Sequence, residues 1–103
     1  MYAVRYLITA VTDMQEIISY ISKQLCNPEA ASRLADEFIE AGNSIADFPY
    51  GRPVYRPIRE LAHEYRPIYV KNYIMFYWVD ENSKTVNIER VIYSKSNIKN
   101  LLK

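Results

Sequence analysis

The sequence predicts an α+β domain of two layers, and three observations carry that prediction. A period-two run opens the chain. Two helical stripes follow, joined at Asn27-Pro28. Three strand-like runs with short links close it. The 103 residues, 50% of them hydrophobic, suit one domain (residues 1–103) with a modest core and exclude intrinsic disorder.

In the first element Tyr2, Val4, Tyr6 and Ile8 alternate with Ala3, Arg5 and Leu7, the period of a strand. Thr12 and Gln15 have capping-box spacing, so a helix starts there or one turn earlier. Met14, Ile17, Ile18, Ile21 and Leu25 form its apolar stripe. Asn27 as N-cap and Pro28 at the first helical position begin a second helix, with a stripe at Ala31, Leu34, Phe38, Ala41 and Ile45 and an end at Phe48-Pro49. So short a link folds the two helices back as an antiparallel hairpin that covers one sheet face and leaves the other free.

Residues 49–63, with three prolines, read as an irregular crossing with room for one short strand. Next comes a three-strand antiparallel meander. Its first strand, 65–70, holds Pro67 and belongs at an edge. Lys71-Asn72 makes a two-residue link in which Asn72 tolerates positive φ. The run 73–79 is apolar enough to be central. The run 85–93 has Val91 out of phase, which predicts a bulge near Arg90. Ser94 or Ser96 caps a short C-terminal helical turn.

The formal net charge of +1 hides two unlike halves. Residues 1–48 carry three basic side chains against seven acidic ones; residues 49–103 carry ten against five, along with seven of the ten tyrosines. This predicts a basic, tyrosine-rich front and a neutral-to-acidic helical back. The single Cys26 excludes an intrachain disulfide framework and a multi-cysteine zinc site, points to a cytoplasmic setting, and reads as a small core or boundary residue. No apolar run reaches the roughly 18 residues of a membrane span. The opening MYAVRYLITAV, with Arg5 and no small-residue cleavage site, does not read as a signal peptide.

The residue types predict no metal site and no cofactor: His63 is the sole histidine, and Gly42 and Gly51 are too few for a phosphate loop. His63, alone in a polar connection, reads as a bystander more readily than as a general base. Arginine, lysine and tyrosine remain, a set suited to phosphodiester chemistry on RNA, where the 2′-hydroxyl supplies the nucleophile. A tyrosine serves in proton transfer there if neighbouring cations lower its pKa. The plainer role for Tyr65, Tyr69, Tyr73 and Tyr77 is packing against the helices.

Four stretches, YLITAVTDMQEIISYISKQL, NPEAASRLADEFIEAGNSIADFP, EYRPIYVKNYIMFYWV and VNIERVIYSKSNIKNLL, follow one another in this order. Together they resemble the RelE/ParE superfamily of type II toxins, the toxic halves of bacterial toxin–antitoxin pairs. The resemblance implies a helical hairpin on a small antiparallel sheet whose open concave face is functional. It also implies one of two activities. RelE-like members enter the ribosomal A site and cleave mRNA without metal; ParE-like members inhibit DNA gyrase without nuclease residues. The concentration of cations and tyrosines in the second half favours mRNA cleavage, with gyrase inhibition as the alternative; carried over as a nuclease, Arg66, Arg90, Tyr93 and Lys95 become the catalytic residues, and Arg56, Arg59 and Lys71 contact RNA phosphates. Ile74 stands where RelE-like nucleases usually have arginine, and the Asn-Pro-x-Ala-Ala turn looks ParE-like. A third reading is a degenerate member that only binds its antitoxin. The implied partners are a cognate antitoxin, whose acidic segment wraps the toxin, and operator DNA reached only through that antitoxin. No membrane is implied.

Overall fold

The computed structural model describes residues 1–57 and 59–102. Its elements are β1 (Ala3–Tyr6), α1 (Ile8–Ser19), a π-helical turn (Tyr20–Gln24), α2 (Pro28–Ser44), β2 (Arg66–Val70), β3 (Tyr73–Asp80), β4 (Thr85–Tyr93) and α3 (Ile98–Leu101). The four strands form one sheet in the order β1-β4-β3-β2. β2, β3 and β4 make the expected antiparallel meander, and β1 joins it parallel to β4. Pro67 lies on the edge strand, where its missing donor costs least. Among the described residues no helix is long and apolar enough to cross a membrane.

α1 begins a turn before the Thr12–Gln15 pair. The single residue Leu7 joins it to β1, and the Leu7 N–H donates to Ile88 O at 2.9 Å, so the chain enters the helix at once. α2 starts as predicted, with the Asn27 side chain accepting from Ala30 N–H at 3.2 Å and Pro28 at the first position. It ends at Ser44, and turns carry the chain on to Phe48.

One face of the sheet buries Ile68, Val70, Met75, Tyr77, Val86, Ile88 and Val91 against Ala10, Leu34 and Phe38 of the helices. Val91 joins this face through a bulge. Phe76 pairs with Arg90 and Tyr77 with Ile88, so Glu89 is the extra residue and the side-chain alternation resets behind it. Tyr77 and Tyr73 face the helices, whereas Tyr69 is exposed and Tyr65 is buried on the other face.

Several local expectations are corrected. The face opposite the helices is not free: Tyr65, Ile74, Phe76, Ile92 and Leu102 bury one another there, with Tyr55, Leu61 and Ile98 packed over them. The crossing segment and the C-terminal turn form this cover, because continuous apolar strands have two faces to bury. Among the described residues of the crossing no strand forms. The positive φ of the β2–β3 turn falls on Lys71 (53°) and not on Asn72, whose carbonyl accepts from Ser94 N–H. Neither serine caps α3. Ser96 N–H closes a turn onto Tyr93 O, which moves the N-cap to Asn97. Cys26 is exposed, because the hairpin reverses there with its φ at 51°.

A polar hub pins the sheet's lower end. Glu81 accepts hydrogen bonds from Tyr2 (2.7 Å), Tyr50 and Lys84 (2.6 Å), joining β1, the segment after α2 and the β3–β4 turn. The Lys84 and tyrosine hydrogen bonds hold the Glu81 carboxyl down at about 2, and the bond to Glu81 pushes the Tyr50 hydroxyl up to about 12. A carboxyl whose pKa is lowered by folding contributes stability above its ordinary value, and that contribution disappears as the pH falls through the folded value. The wild-type urea midpoint is therefore expected to fall between pH 4.5 and about 2, with a shallower fall in Glu81→Gln. Equal slopes would show that the hub is not formed in solution.

Candidate functional site

The register separates the residues that the resemblance assigns to catalysis. Arg66 pairs with Tyr77 and so sits on the helix-covered face, at the end of the sheet beyond α2. Its guanidinium donates to Arg52 O and to Glu64 (3.2 Å) and lies 5.1 Å above the Tyr50 ring. With only 13% of its side chain exposed, it acts as a clamp on the segment after α2.

Arg90 pairs with Phe76 and belongs to the opposite face. Its Nε and Nη2 donate to Asp13 at 2.7 and 3.1 Å, and its Nη1 donates to Leu101 O at 2.8 Å. The Asp13 hydrogen bonds hold its pKa above the ordinary arginine value, against the opposing effect of burial.

Tyr93 pairs with Tyr73, four residues along β3 from the partner of Arg66. At the rise of a strand this places Arg66 and Tyr93 about 13 Å apart along the strand direction, with β3 between them. Tyr93 is half-exposed, with its ring 5.9 Å from that of Tyr73, and Lys95 is exposed in the turn after β4. Tyr93 and Lys95 are thus near each other, while Arg66 and Arg90 lie apart from them and on opposite faces from one another.

Of the predicted phosphate contacts, Arg59 donates to Lys99 O and Leu102 O and so ties down the C-terminal turn. Lys71 lies 3.6 Å from Glu37 on the helix side, and Arg56 is exposed. Ile74 is buried under the C-terminal cover. Among the described residues the cations of the second half whose side chains make no hydrogen bond or ion pair are Arg52, Arg56, Lys95 and Lys99, and none of them lies on a strand.

Six tyrosines are pushed away from the ionised form that a base needs. Burial raises the pKa of Tyr6, Tyr65, Tyr73 and Tyr77, and hydrogen bonding to Glu81 raises that of Tyr2 and Tyr50. His63 has a packing role: its ring stacks on Trp78 at 3.7 Å, 3° from parallel, while Trp78 Nε1 donates to Glu89 at 3.0 Å. Among the described residues no group of three or more His, Cys, Asp or Glu side chains could hold a metal ion. Reading the sequence overlooked Asp13 and Glu37. Both sit on helices among other acids, and only the fold sets one against Arg90 and the other against Lys71.

The sequence pattern described as "ParE toxin of type II toxin-antitoxin system, parDE" matches residues 4–98. No curated protein sequence matches the chain significantly. Among solved structures, a chain of the chromosomal ParDE toxin–antitoxin system from P. aeruginosa superposes with a TM-score of 0.73 at 18% identity, covering 92% of this chain and 98% of that one. A chain of the toxin–antitoxin complex RelBE2 from Mycobacterium tuberculosis superposes with a TM-score of 0.59 at 22% identity, covering 89% and 96%. The two solved chains share the fold, and the sequence pattern spans nearly the whole length: the protein belongs to the ParE toxin family of type II toxin–antitoxin systems.

Proposed function

We propose that this toxin acts by binding DNA gyrase through a protein interface and does not cleave mRNA. The observation that carries this reading is the separation of Arg66, Arg90, Tyr93 and Lys95, with both guanidinium groups held by contacts that maintain the fold. A metal-independent nuclease needs its phosphate-stabilising cation and its proton-transfer group around one reacting phosphate. The ParE family match and the likeness to a chain of a ParDE toxin–antitoxin system support the same reading. The protein acts in the cytoplasm, where gyrase works. A cognate antitoxin neutralises it by laying an acidic segment over the surface that holds Arg56, Lys95 and Lys99, and the complex reaches operator DNA through the antitoxin.

The test is to add the purified toxin to gyrase supercoiling reactions and to map mRNA 5′ ends after induction in cells. Loss of supercoiling or gyrase-linked DNA breaks, with mRNA ends unchanged, is expected. New mRNA ends inside translated frames with intact DNA would overturn the proposal.

A further inference from the structure

β2 accompanies β3 only from Arg66, opposite Tyr77, while β3 runs on to Asp80. The chain ahead of β2 does not extend the pairing. His63 stacks on Trp78 over the second face, and Tyr65 O accepts from Tyr55 N–H. A recess of about 360 Å³ is left beside the last residues of β3, with Tyr50, His63, Glu64, Val79 and Asp80 in its walls.

The register tells which backbone groups face this gap. Consecutive strand residues turn their N–H and C=O to opposite neighbours. Ala3 N–H and Leu7 N–H donate to Lys84 O and Ile88 O, so Val86, midway between those two acceptors, also turns towards β1. Its partner Val79 then turns its own N–H and C=O away from β4, along the line that β2 does not reach. Among the described residues no hydrogen bond from a turn, loop or side chain reaches either group. Val79 is half-buried, so this short stretch of edge is open to a partner.

The charge beside it is also unbalanced. Glu64 is bridged to Arg66 and Glu81 to Lys84. Asp80 accepts only from Asn82 N–H and Ser83 N–H and meets no cation among the described residues. An extended segment laid along this edge puts one residue opposite Val79, where it exchanges both backbone hydrogen bonds. The next residue falls opposite Asp80 with its side chain on the same face, where an opposite charge is favoured and a like charge is penalised.

We propose that this edge binds an extended, basic segment of a partner protein, its backbone paired with Val79 and a lysine or arginine beside the paired residue meeting Asp80. The segment is opposite in charge to the one proposed for the antitoxin. The site does not depend on whether gyrase is the target, since neither the open edge nor Asp80 enters that argument.

The test is an NMR titration of the whole protein with acetyl-Lys-Val-Lys-amide, with acetyl-Glu-Val-Glu-amide, and with the lysine peptide N-methylated at its valine. Signals from residues 63–64 and 78–81 should move, with the lysine peptide binding roughly threefold tighter or more than the glutamate peptide. N-methylation removes the donor to Val79 O and should weaken binding by about threefold or more. In Asp80→Asn, which keeps an acceptor for the turn, the preference for lysine should shrink. Equal or tighter binding of the glutamate peptide would overturn the proposal. So would unmoved signals at these residues, unchanged binding of the N-methylated peptide, or a preference that survives undiminished in Asp80→Asn. If free lysinamide binds as tightly as the lysine peptide, the recess takes an ammonium group alone and the strand-pairing assignment fails.

Discussion

Asp13→Ala is expected to destabilise the protein by about 2–4 kcal/mol, the range for breaking a buried ion pair reduced for its partial exposure. The Asp13 carboxylate accepts two hydrogen bonds from Arg90, at 2.7 and 3.1 Å, and a third from Val91 N–H at 2.9 Å. β1 ends at Tyr6, paired with Ile88, so the edge of β4 beyond that point has no neighbouring strand. α1 completes it: Thr9 Oγ1 donates to Glu89 O at 2.6 Å, and Asp13 takes the next N–H. Removing the carboxylate strands a backbone donor and leaves a guanidinium that is only 23% exposed without its counter-charge. Arg90 also holds Leu101 O, so the C-terminal turn should loosen as well. Urea unfolding measures the loss. In a domain this size each kcal/mol lowers Tm by about 4–8 °C. Asp13→Asn, which keeps an acceptor for Val91 N–H, should fall between the two. A loss below about 0.5 kcal/mol for Asp13→Ala would mean that the pair behaves as an ordinary surface ion pair.

The second large effect is expected at Gly42, where valine should cost about 3 kcal/mol through overpacking. Gly42 is buried on α2 above the sheet. A Cβ there would lie 2.4 Å from Tyr6 Oη, 2.9 Å from Ile88 Cδ1 and 3.0 Å from Tyr6 Cζ. The Tyr6 hydroxyl cannot move aside freely, because it donates to Asn43 Oδ1 at 3.1 Å with Ile39 O also in range at 3.2 Å. Alanine gains about 1 kcal/mol of helix propensity over glycine, which offsets part of the clash and leaves a smaller loss. The cause is separable by a double-mutant cycle. In a Tyr6→Phe background the nearest clashing atom is gone, so Gly42→Ala should cost less there than in the wild type. If Gly42→Ala alone stabilises the protein, the close approach of α2 to β1 is not as described.

The Gly42 and Asp13 contacts also show where reading the sequence stops. Strands, helices and turns depend on neighbours in the chain, so period-two runs, apolar stripes and the Asn27-Pro28 cap were visible locally. Even the bulge showed itself through the phase of Val91. The misplaced details differ in cause: the Lys71 turn is tied to a distant partner, Ser94 N–H on Asn72 O, whereas the Asn97 cap follows from a local turn that Ser96 N–H closes onto Tyr93 O.

The candidate site divides in the same way. Basic and aromatic residues concentrate in the second half of the sequence, and their number needs no fold to count. Which of them stay free is decided by tertiary partners. Arg66, Arg59 and Arg90 each meet backbone carbonyls between 11 and 43 positions away in the chain, and Arg90 meets Asp13 across 77. An arginine reads the same in sequence whether its guanidinium awaits a phosphate or closes a contact within the fold. The α+β class, the element order and the family resemblance can all be read along the chain, because periodicity and capping are local. That the second sheet face is covered, and that the candidate catalytic residues lie apart, emerges only from the folded chain, because both depend on register and packing between distant segments.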